Sequence, residues 1–119
     1  MITSPIDSKR NIGVTNTVID LCTAPTTTPG YHFHGWLVDN LANTAVTYIQ
    51  LFKAPASSVT LGSTVADFVI PVGGSSSQGF GFESGIIFPT GLSGAATTTK
   101  SGSTAPVTAV DVTILFRGA

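Results

Sequence analysis

Hydrophobic positions along this chain recur at every second residue, with no sustained three-and-four spacing. The clearest case lies near the C-terminus. Val110, Val112, Ile114 and Phe116 alternate there with Asp111, Thr113, Leu115 and Arg117, the period of a strand with one face turned to a core. Leu115 on the second face predicts partial cover on both sides. Ala45 to Lys53 reads similarly: Val46, Tyr48 and Phe52 share a face with Gln50, and Thr47, Ile49, Leu51 and Lys53 share the other. Apolar residues in the middle of both faces suit a central strand. Upstream, Gly30 to Asp39 sets Tyr31, Phe33 and Leu37 against His32, His34, Trp36 and Val38, with Gly35 as a bulge or close-approach point. Asn40 to Asn43 predicts a short turn joining two antiparallel strands.

Shorter candidates complete the set: Asn16 to Leu21, Ala66 to Val72, Gln78 to Glu83, Ile86 to Phe88 and Gly94 to Thr99. Pro71 and Pro89 belong at edges or strand ends, because proline gives nothing to a hydrogen-bond ladder. Gly73 to Ser77 and Lys100 to Pro106 read as polar turns or loops. About eight short strands with frequent Gly and Pro predict an all-β fold, an antiparallel β-sandwich that is jelly-roll-like. The expected domain runs over 14–119. Residues 1–13, with Asp7, Lys9 and Arg10, read as an extended N-terminal arm laid on a neighbour.

Composition adds a constraint on function. Only 9% of residues are Asp, Glu, Lys or Arg, while Ser and Thr make up roughly a quarter. So few charges leave little mutual repulsion to keep copies apart, which predicts a part of a larger assembly. A net charge of −1 with no basic cluster argues against nucleic acid and anionic membrane as partners. No apolar run approaches the roughly 18 residues of a membrane span, and no signal segment follows Met1, so a soluble, non-secreted chain is expected. The single Cys22 excludes an internal disulfide and a multi-cysteine zinc site, and is expected as a buried, inert thiol.

Candidate chemistry is sparse. His32 and His34 stand two apart on a predicted strand, a spacing that puts both imidazoles on one face as a metal pair requires. Asp39, Asp111 and Glu83 are the candidate third ligands. The plainer reading has both histidines, with Trp36 alongside, on an exposed or inter-subunit face. No serine sits in a nucleophile elbow, and a Cys22–imidazole pair has no local signature. Gly79 to Phe82 matches a phosphate loop in glycine content alone. The chain is therefore expected not to be an enzyme and to need no cofactor. Trp36 is the one candidate platform for stacking a sugar.

From Tyr48 onward the chain runs through Leu51-Phe52-Lys53-Ala54-Pro55, Val59 to Thr64, and Phe68-Val69-Ile70-Pro71-Val72. Gly85 to Leu92, Ala96 to Thr99 and the β-rich end Val110 to Phe116 follow. In these runs and their order the chain resembles small virion proteins of tailed bacteriophages. The resemblance covers about two-thirds of the chain and implies a non-enzymatic virion component. The expected role is a capsid cement or decoration protein bound to the major capsid protein. A tail, collar or fibre-associated protein, with a host-glycan-binding module as one form, is the alternative. A homo-oligomer is expected, a trimer by analogy with decoration proteins. The residues expected to touch a partner are Lys9, Arg10, Ile12, His32, His34 and Trp36.

Overall fold

A computed structural model describes residues 6–22 and 31–118. Eight strands form: β1 (Asp7–Val14), β2 (Ile19–Asp20), β3 (Tyr31–Asp39), β4 (Thr47–Phe52), β5 (Phe68–Val72), β6 (Ser77–Phe88), β7 (Ser93–Thr97) and β8 (Val110–Gly118). A single 3-10 turn over Ala56–Ser58 is the one helical element among the described residues, and no helix there is long and apolar enough to cross a membrane. The strands make two four-stranded antiparallel sheets, β1-β8-β3-β6 and β2-β7-β4-β5. The expected all-β antiparallel sandwich is the fold. Pairing is nested: β1 with β8, β2 with β7, β3 with β6 and β4 with β5. The chain therefore folds as one long hairpin doubled over on itself.

The alternation seen in the sequence builds the core. Val110, Val112 and Ile114 from β8 and Phe33 and Val38 from β3 face Ile49, Leu51, Ile70 and Val72 across the sandwich, all essentially without solvent contact. Phe33 is the hub. Its ring meets Phe68, Phe82 and Phe88 edge-on at centroid distances of 5.5 to 5.7 Å, the arrangement the ring quadrupoles favour. Strand β4 is central and covered on both faces. Gln50, on its outer face, donates to Thr97 Oγ1 at 2.9 Å and to the Gly102 carbonyl at 3.0 Å. The loop after β7 thus lies over the outer side of the second sheet.

Three expectations are corrected. Residues 7–13, read as part of an arm, belong to an edge strand whose register with β8 runs from Asp7↔Phe116 to Val14↔Val110; residues 1–5 lie outside the described residues. Asn11, on the core side of β1, donates to the Leu21 and Val112 carbonyls, so this edge is tied in by a side chain as well as by its ladder. The ladder breaks between Asn11 and Val14, where Gly13 takes a φ of 73°, a conformation that L side chains adopt at a cost.

Asn40 to Asn43 does not join paired strands. β3 and β4 lie in different sheets, and the segment is a corner between them. The fully buried Asn40 holds that corner. Its amide nitrogen donates to the carbonyls of Ala45, Val72 and Gly73, and its carbonyl oxygen accepts from Asn43 Nδ2 and Thr47 Oγ1. Asn43 in turn exchanges two 2.8 Å hydrogen bonds with the backbone of Thr108. Two asparagines thus fasten three crossovers at one end of the sandwich.

Finally, Gln78–Glu83 and Ile86–Phe88 are one continuous strand, β6, carrying an irregularity opposite Phe33 to Gly35.

Candidate functional site

All six residues expected to touch a partner lie on the first sheet, three on β1 and three on β3. They do not share a face. The reason is the bulge in β3. Phe33 stands opposite Phe116 of β8, and Gly35 stands opposite the very next residue, Leu115. One extra residue, His34, is accommodated there, and every side chain beyond it changes side. Trp36 consequently pairs with Ile114 and turns inward, half-buried against the core, while Leu37 turns outward and is 51% exposed. The expected alignment of Trp36 with His32 and His34 is corrected on this ground, and with it the sugar platform built from the three.

The two histidines differ in role. His32 is half-buried on the outer face, opposite Arg117 of β8 and Ile87 of β6. His34 is 3% exposed. Its Nδ1 lies 3.0 Å from the Phe82 carbonyl oxygen; since a carbonyl only accepts, Nδ1 carries the proton. Its Nε2 is buried without a partner beneath Gly85, where a side-chain carbon would come within 2.9 Å of Nε2 and 2.7 Å of the His32 Cβ. β6 can pass over the histidines only because residue 85 has no side chain. His34 is therefore an internal strut for the β6 irregularity, with no face free for a partner.

No group of three or more His, Cys, Asp or Glu residues stands together as a metal site among the described residues. Of the acids considered as third ligands, Asp111 is engaged by Arg10 and Asp39 accepts from the Leu41 N–H. Cys22 is a buried free thiol, and burial pushes its pKa up to about 12. At neutral pH it is a thiol and a poor nucleophile.

On β1, Lys9, Arg10 and Ile12 are all exposed, Ile12 at 73%. Arg10 Nη2 lies 2.7 Å from Asp111 Oδ2. That hydrogen bond, with a second from the Gly13 N–H, holds the Asp111 carboxyl below its ordinary pKa. Arg10 and Asp111 form one wall of a shallow hollow of about 290 Å³, completed by Leu37, Asp39, Ser77 and Thr113. The hollow sits on the outer face of the first sheet. This face and the edge beside it remain open, with Leu37, Phe80 and Ile87 between 45% and 63% exposed.

The residues that sequence reading missed are on β6. Gln78 to Glu83 reads from the sequence as a short strand with no site on it; it is part of a solvent-facing edge, exposed along most of Ser77 to Ile87. The available signal was compositional: twelve residues with one charge, Glu83, and three glycines. Comparison of the chain with protein-family models, with curated proteins and with solved structures finds no significant match.

Proposed function

We propose that this chain is a structural protein of a tailed-phage virion, a cement or decoration protein that docks on the major capsid protein lattice. The observation that carries the reading is the one-sidedness of the sandwich. A loop covers the outer face of the second sheet, whereas the first sheet presents a face on which the paired Arg10 and Asp111 lie beside exposed Leu37 and Ile87, and a long bare edge. A surface of hydroxyls, glycines and single apolar side chains suits many weak contacts repeated over a symmetric lattice. The nesting of the strands, read as a jelly roll, is in keeping with this, since that architecture recurs in viral capsid domains. The resemblance from Tyr48 to Arg117 supports the same assignment. No catalytic or cofactor chemistry enters it. Lys9, Arg10 and Ile12 on β1, with His32 on the open face, are the contact residues carried into this proposal.

Quantitative mass spectrometry of purified virions tests the reading. Copies in the hundreds, removed by mild treatment that leaves the capsid shell intact, are expected. A copy number equal to a single ring would place the protein at the collar or tail instead. Absence from the particle would end the proposal.

A further inference from the structure

The four edges of the two sheets are not alike. β1 carries Asp7, Lys9 and Arg10 and a break at Gly13. β2 is two residues long, and β5 is five residues with Pro71 inside it. Charge, brevity and proline are the devices by which sheet edges avoid pairing with other chains. β6 has none of them from Ser77 to Phe82.

The hydrogen-bond phase of that segment follows from its register. The Asn40 N–H donates to the Ser76 carbonyl at 2.9 Å, so Ser76 and, by the two-residue period of an antiparallel ladder, Gln78 and Phe80 turn their backbone groups toward β3. The backbone groups of Ser77, Gly79 and Gly81 point away from the sheet. Beside them the Phe80 side chain is 63% exposed, its ring 6.0 Å from that of Phe82.

We propose that two copies of this chain pair through β6, antiparallel about a twofold axis at Phe80. In this register Gly79 and Gly81 of one copy exchange ladder hydrogen bonds with Gly81 and Gly79 of the other. Phe80 faces its own equivalent in the close, non-hydrogen-bonded pair. The charges favour this occupant, because Glu83 falls opposite the uncharged Ser77 and no like charges meet. Among the described residues a second copy has no other bare edge to offer: β1 would bring its charged row. The two first sheets become one eight-stranded sheet, and the exposed Phe80 ring of each copy is covered by the other. The inference concerns self-association and does not rest on the virion assignment. A twofold contact gives an even-numbered oligomer, in place of the trimer that analogy suggests.

Light scattering of the full chain and two lysine variants, with cross-linking of two cysteine variants, tests the pairing. The wild type is expected at twice the monomer mass at micromolar concentration. Phe80→Lys and Gly81→Lys, each shown to be folded by circular dichroism, are expected at monomer mass. Close antiparallel pairs hold their Cα atoms about 4.5 Å apart, within disulfide range. Phe80→Cys is therefore expected to give a covalent dimer under mild oxidation, while Val65→Cys, 86% exposed on the β4–β5 connection, does not. A wild type that stays monomeric or forms a trimer overturns the proposal. So does a dimer that persists in both lysine variants, or one in which Phe80→Cys fails to cross-link. A monomer whose Phe80→Lys variant loses particle binding would assign the edge to a different protein and equally overturn it.

Discussion

Cys22 sits in the core at 3% exposure, and desolvation outweighs the attraction of Lys9 in setting its pKa. Because the folded value, about 12, lies above that of an exposed thiol, the neutral form is bound more tightly by the native state. The stabilisation is complete below about pH 8.5, the ordinary thiol value, and is lost as pH rises from there through the folded value. Denaturation midpoints are therefore expected to fall across the alkaline range, and Cys22→Ala to flatten that slope. Alkylation at pH 8 should label Cys22 only after unfolding. Rapid labelling of the native protein would contradict the burial. Asn40 is the other residue on which much depends. Asn40→Ala strands three carbonyls and the side chains of Asn43 and Thr47. With each buried orphan costing about 1–3 kcal/mol before relaxation and water entry, a net loss of about 3 kcal/mol in urea denaturation is expected.

Among the elements, β1 is the most informative. Deleting residues 1–13 removes β8's outer partner and the Asn11 hydrogen bonds to Leu21 and Val112. The truncated chain is expected to have a lower denaturation midpoint and to self-associate through the newly bared β8 edge, as size-exclusion chromatography would report. An unchanged midpoint would mean that β1 contributes no stability. The strand was hidden in the sequence because Asp7-Ser8-Lys9-Arg10-Asn11 has no apolar residue to alternate; its pairing is made by backbone and one amide. β4 and β8 were legible for the opposite reason, since their apolar rows face a core. On β6, Glu83-Ser84-Gly85 resembles a break between two strands, and only the His34–Phe82 contact shows why the ladder survives it. The candidate site was read in part. Lys9, Arg10 and Ile12 are exposed as a contact surface requires, but Gly35 was recognised as a bulge without the reversal it imposes on Trp36 and Leu37. A period-two reading carries no information on where its phase slips.

At the scale of the whole molecule, scarcity of charge is the governing property. Among the described residues the one ion pair is Arg10–Asp111, with the Arg10 side chain 65% exposed, and such a pair adds at most about 1 kcal/mol. If docking proceeds through the open face of the first sheet, attachment to the particle should change little between low and high salt. Sedimentation of virions across a salt series would measure this. Release at high salt would mean that Lys9 and Arg10, among the proposed contact residues, dominate the attachment over the apolar side chains of that face.

The rolled hairpin also sets Asp7 directly opposite Phe116, so the first and last strands end side by side on one rim. A short peptide bridge there would close the backbone into a ring without bending a strand. The ring can then be reopened elsewhere, at the exposed Gly73 turn for example. Guest peptides joined ahead of Asp7 or after Gly118 would leave the two strands at neighbouring points on that rim.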